Sequence, residues 1–62
     1  MASLSGVQWE AIARVLQARR AKQHKRVSGT MVYYSPTTGK FQKVWRSWGG
    51  WNLTEHDTCP CG

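Results

Sequence analysis

Sixty-two residues leave room for one domain, and a domain this small buries only ~60% of the surface its unfolded chain exposes, so its core has to be aromatic-rich or completed by a partner. Nine Lys and Arg oppose three acids, a formal charge of +6, and every cation lies between Glu10 and Glu55. No stretch reaches the ~18 apolar residues of a membrane-spanning helix, and Glu10 and Arg14 interrupt what would be the apolar part of a secretory leader, so neither is expected.

The first element is a helix. Ser5 is suited to cap its free amides, Gln8 three residues on reaches back as in a capping box, and Leu4 can pack on Trp9 as a hydrophobic staple. Trp9, Ile12, Ala13 and Leu16 follow at i, i+3, i+4 and i+7, one apolar stripe with Arg14 and Gln17 outside it. The helix is expected to continue through "ARRAKQHKR" to Val27, with Gly29 in the left-handed position that closes it. Residues 5–27 would then span ~34 Å at ~1.5 Å per residue. Beyond Leu16 the stripe stops, and Arg19, Arg20, Lys22, Lys25 and Arg26 fall on most faces, so these turns cannot be buried without stranding charge. Favourable interaction with the helix macrodipole, ~0.3–1 kcal/mol per cation, accounts for some of them and not for all.

A hairpin is expected over residues 30–48. Pro36 presets φ for the first turn position and Gly39 takes the left-handed one, which pairs Ser35 with Lys40, Tyr34 with Phe41, Val32 with Lys43 and Thr30 with Trp45. Period two then puts Thr30, Val32, Tyr34, Phe41, Lys43 and Trp45 on one face and Met31, Tyr33, Lys40, Gln42, Val44 and Arg46 on the other. The first face is the better core, against Trp9, Ile12 and Leu16, with Lys43 snorkelling at its margin. A hairpin alone is marginal, so a third strand is sought in residues 51–56, after Gly49-Gly50, with a polar tail over 57–62. The fold class is α+β: one long N-terminal helix packed on a β-hairpin or a small three-stranded antiparallel meander, a single domain over residues 1–62. If the hairpin fails to cover the helix stripe, a homodimer through that stripe is the alternative.

A basic block without carboxylates cannot neutralise itself, and its potential attracts nucleic acid first, anionic membrane second and acidic protein surfaces third. Arg19, Arg20, Lys22, Lys25, Arg26, Lys40 and Arg46 are the phosphate-contact candidates, and Tyr33, with one of Trp48 or Trp51, supplies the stacking candidates. No helix-turn-helix, zinc-finger or ribonucleoprotein-type motif supports direct base readout. The expected role is therefore a non-catalytic, nucleic-acid-binding accessory or regulatory protein, DNA or RNA being undecided. The rival is a viral or assembly module that docks on a protein partner through Trp48 and Trp51, since an exposed Trp is a common interface anchor. Glu10, Glu55 and Asp57 form no spaced carboxylate pair, and no preorganised nucleophile is visible, so an enzyme is not expected.

The tail "EHDTCPCG" invites a metal reading. Cys59-Pro60-Cys61-Gly62 resembles the opening of the SEC-C zinc motif over four residues, a motif that later supplies a second pair of Cys or His ligands. That pair is missing from this sequence, and Cys59, Cys61 and His56 would need His24 or another chain to complete four ligands. The expectation is no metal and no other cofactor, with free thiols on a fraying tail. Two crowded cysteines are not the spread framework of a secreted disulfide domain, so a reducing, cytoplasmic setting is expected and the Asn52 sequon has no consequence.

Overall fold

The computed structural model describes residues 6–60. The chain forms helix α1 (Trp9–Ala18) and strands β1 (Lys22–Val27), β2 (Thr30–Ser35), β3 (Lys40–Ser47) and β4 (Gly50–His56). All neighbours are antiparallel, and the four-stranded sheet follows chain order, β1-β2-β3-β4. The α+β class holds, but the meander has four strands, not three, and the helix is short, 10 residues or ~15 Å. No helix among the described residues is long and apolar enough to cross a membrane.

Helix α1 starts later than expected. Gln8 is the N-cap, in an extended conformation and without a side-chain cap bond, and its carbonyl accepts from the amides of Ala11 at 3.1 Å and Ile12 at 3.4 Å. The expected cap Ser5 and staple residue Leu4 lie outside the described residues. Glu10 in the first turn suits the positive end of the macrodipole.

The other end of α1 corrects the long-helix expectation. The amide of Arg20 donates to the Gln17 carbonyl at 3.0 Å and that of Ala21 to the Leu16 carbonyl at 2.9 Å, while Arg20 holds φ 52°. That is a Schellman close with arginine in the left-handed position, a placement that costs ~1–2 kcal/mol for a residue with a Cβ. The satisfied carbonyls and the packing of Ala21 and Leu16 in one cluster offset it. Residues 22–27 then leave as strand β1, so the basic segment is a sheet edge and not a projecting helix end. Gly29, expected at the helix end, instead turns β1 into β2: Ser28 at φ 48° and Gly29 at φ 80° are the two central positions of a type I′ turn.

Local turn chemistry is otherwise as read. Ser35 pairs with Lys40, Tyr34 with Phe41 and Val32 with Lys43, and the Gly39 amide closes the loop on the Ser35 carbonyl at 2.8 Å. The expected third strand over 51–56 exists as β4, which pairs Val44 with Leu53, Trp45 with Asn52 and Arg46 with Trp51. Gly50, at φ 120°, lies so close to Gly6 that a Cβ would sit 3.2 Å from the Gly6 carbonyl carbon. There the N-terminal segment docks on the β4 edge, with the Trp51 amide donating to the Val7 carbonyl at 3.0 Å.

The core corrects the expected facing. Ile12 and Leu16 of α1 are buried on Val44 and Leu53, with Val7, Val15, Ala21, Met31, Tyr33 and Trp51 packed around them. Cross-strand partners share a face, so α1 covers the side of Met31, Tyr33, Gln42 and Val44, and the Val32, Tyr34, Phe41 and Trp45 side faces away from it. The reason is β4: Leu53 aligns with Val44, and that side of the sheet lines up Met31, Val44 and Leu53 from three adjacent strands for Ile12 and Leu16 to meet. Ile12 and Leu16 of the helix stripe are thereby covered within the chain, while Trp9 at its start stays partly exposed.

Candidate functional site

The sheet face turned away from α1 gathers Tyr34, Phe41 and Trp45 with three of the chain's nine cations, Lys22, Lys25 and Lys43. Its side chains come from alternate positions of four strands: Lys22, Lys25 and Val27 of β1, Thr30, Val32 and Tyr34 of β2, Phe41, Lys43 and Trp45 of β3, and Asn52, Thr54 and His56 of β4. A register shift between Gln23 and Lys25 adds His24 to the same side, where its ring meets Phe41 edge-on at 5.3 Å between centroids. Tyr34 lies against Phe41 at 4.9 Å, and the Lys43 ammonium is 5.4 Å from the centre of the Trp45 ring. His24, Tyr34 and Phe41 thus form one ring cluster, and Trp45 with Lys43 a second aromatic position further along β3.

Electrostatics separate this face from the rest of the molecule. None of the chain's three acids belongs to it. Glu10 is on α1, Glu55 shares the helix side with its partner Gln42, and Asp57 is bonded through Oδ1 to Lys40 Nζ at 2.6 Å at the end of the sheet. That contact raises the Lys40 pKa and holds the Asp57 carboxyl below the usual carboxylate range, in both cases chiefly through the hydrogen bond and then through charge attraction. The tail beyond β4 crosses to the same face: Pro60 borders a shallow recess with Val27, Ser28, Thr30, Val32 and Lys43. Val32 is buried there, although it points away from α1.

The residues singled out from the sequence are not brought to one surface. Lys22, Lys25 and Arg26 line the exposed edge strand β1, with Arg26 across from Met31 and so toward the helix side. Arg19 is tied inward, its Nε 2.6 Å from Glu55 Oε2, while its carbonyl accepts a bond from the Ser35 hydroxyl. Arg20 is exposed at the helix close and Arg46 on the side of Trp51. Lys40 is paired with Asp57. Tyr33 is half-buried beside the core, its hydroxyl directed at Met31 Sδ at 3.6 Å. Of the rings on this face, the sequence points Tyr34, Phe41 and Trp45 to the core and offers His24 only as a distant fourth zinc ligand. Their signal was the hairpin register, which had already grouped the first three on one side.

The tryptophans divide. Trp48 at the β3–β4 turn is fully exposed, and Trp51 is half-buried with its ring 5.0 Å from that of Trp9. At the tail, Cys59 is disulfide-bonded, which corrects the expectation of free thiols. Cys61 lies outside the described residues. Among the described residues no three His, Cys, Asp or Glu side chains are grouped as metal ligands.

Compared with protein-family models, with curated proteins and with solved structures, the chain matches none.

Proposed function

We propose that this protein is a non-catalytic, nucleic-acid-binding accessory or regulatory factor, and that its contact surface is the sheet face opposite α1 together with the β1 edge. The observation that carries the reading is that this face holds Lys22, Lys25 and Lys43 among His24, Tyr34, Phe41 and Trp45 and no acidic side chain. A surface of that kind attracts phosphates without internal competition. The basic segment has a second duty that needs no ligand, since Lys22, Lys25 and Arg26 on an exposed edge strand discourage strand addition by another chain. That duty accounts for β1 and leaves Lys43, in the middle of the sheet on β3, unexplained.

The test is an amide NMR titration of the labelled chain with a mixed-sequence RNA and a duplex DNA at low and at physiological salt. The reading expects shifts on β1, Tyr34, Lys43 and Trp45 that weaken steeply as salt rises. Absence of shifts with either nucleic acid at low salt overturns it.

A second reading rests on Trp48. A fully exposed indole on a tight turn is a ready anchor for an apolar pocket on a partner protein, as in an assembly or viral component. Binding through it would change little with salt, which separates the two readings.

A further inference from the structure

We infer that the nucleic acid held on the open sheet face is single-stranded, its bases stacking at two ring sites with a phosphate contact between them. This inference rests on the nucleic-acid reading above. The first ring site is Tyr34, 37% exposed, backed by Phe41 and His24 at ring distances of 4.9 and 5.3 Å. The second is Trp45, on the same side of β3 as Phe41 and four residues along, hence ~13–14 Å away at ~3.4 Å per residue. Lys43 lies between the two on that side of β3, next to Pro60 of the tail, which a strand joining the two ring sites has to displace, and Lys22 and Lys25 stand across the strands on β1, opposite Tyr34 and Val32.

Each alternative occupant leaves part of this arrangement unused. In a duplex the base faces are covered by their neighbours, so rings on a sheet cannot reach them, and a broad sheet face does not enter a narrow groove. A duplex would be met by the cations alone. A second copy of this chain would bring Lys22, Lys25 and Lys43 against their own equivalents with no acid on either face, a like-charge arrangement that disfavours the pairing. A single strand uses both kinds of group. Its exposed bases offer π-faces to Tyr34 and Trp45 irrespective of sequence, and its phosphates meet the lysines. The preorganisation is partial, because Phe41 supports Tyr34 from one side and the Lys43 ammonium sits near the Trp45 ring. Binding would therefore require Lys43 to move from the ring toward a phosphate as a base takes its place.

The experiment measures binding of the full chain to a fluorescein-labelled mixed-sequence oligonucleotide by anisotropy, as single-stranded RNA, as single-stranded DNA and as the corresponding duplex, at two salt concentrations. Tyr34→Leu and Trp45→Leu are each expected to weaken single-strand binding by ~5- to 150-fold, the range for loss of one stacked base. Neither is expected to alter duplex binding. Lys22→Gln with Lys25→Gln should lower the salt slope for every ligand. Because Trp45 is half-buried, a second readout uses the unaltered protein: ring protons of Tyr34 and Trp45 should shift upfield on addition of the single strand and not of the duplex. Equal affinity for duplex and single strand, with ring variants binding as wild type, overturns the stacking inference and leaves the nucleic-acid reading standing. No binding to any of the three at low salt overturns both.

Discussion

Arg19 and Glu55 are 2.6 Å apart, a cation at the close of α1 and a carboxylate on β4 that join the helix to the sheet at the end opposite the Trp9–Trp51 contact. Glu55 also accepts from Gln42 Nε2 at 3.3 Å, and Gln42 is fully buried. The Ser35 hydroxyl bonds to the Arg19 carbonyl, so the backbone and the side chain of one residue are both anchored on the sheet. Glu55→Gln should cost about 1–2 kcal/mol, the range for hydrogen bonds to a charged group in a half-buried setting. The check is urea unfolding, with a lower midpoint at unchanged slope. An unchanged midpoint would show that Ser35 and the apolar contacts alone hold this end.

Arg20 and Ser28 occupy left-handed backbone positions at φ 52° and 48°. Arg20→Gly should raise stability by about 1 kcal/mol, because glycine removes the Cβ conflict at the helix close. Ser28→Asn should stabilise by a few tenths of a kcal/mol, since Asn-Gly is a preferred pair for a type I′ turn. Thermal unfolding of both variants reads these signs directly. Arg20→Val is expected to move the midpoint the other way.

Gly50 holds φ 120°, and the backbone of Gly6 lies 3.2–3.3 Å from where its Cβ would be. Gly50→Ala should therefore destabilise by about 1–3 kcal/mol, the usual cost of a strained backbone position. It should also release the N-terminal segment. Hydrogen exchange at the Trp51 amide, which donates to the Val7 carbonyl, would then accelerate more than that of core amides such as Val44.

The Lys40–Asp57 contact is open to solvent, and its effect is best read from the titrating groups themselves. The Asp57 carboxyl, depressed first by the hydrogen bond and then by the charge of Lys40, should titrate below the same group in the unfolded chain. A depressed carboxylate contributes stability that is present above its unfolded pKa and lost as pH falls through its folded pKa. Carboxyl carbon NMR of wild type and Lys40→Met checks it: the Asp57 midpoint should rise in the variant. An equal midpoint in both would overturn the pairing.

Much of the local structure was legible in residue order. "SPTTGK" gave the hairpin register through Pro36 and Gly39, and the stripe of Ile12 and Leu16 marked the buried side of α1. The basic segment misled because Lys, Gln and Arg are good helix formers, while their charge suits an exposed edge strand equally well. What ended the helix was a backbone close at Arg20, a residue type that carries no stop signal. The candidate site was half legible. Period two grouped Tyr34, Phe41 and Trp45 on one side, but their aromatic mass pointed to a core.

Sequence alone therefore determined the properties that act over a few residues or over the whole charge: the turns, one helical stripe, and a formal net charge of +6. Which face of the sheet became the core was decided only by the tertiary structure. Either side of the hairpin offered apolar surface, and the balance tipped when β4 aligned Leu53 with Val44 beneath Ile12 and Leu16. Burial is a sum over contacts between distant segments, and the register of the last strand entered that sum too far along the chain for any local pattern to reveal it.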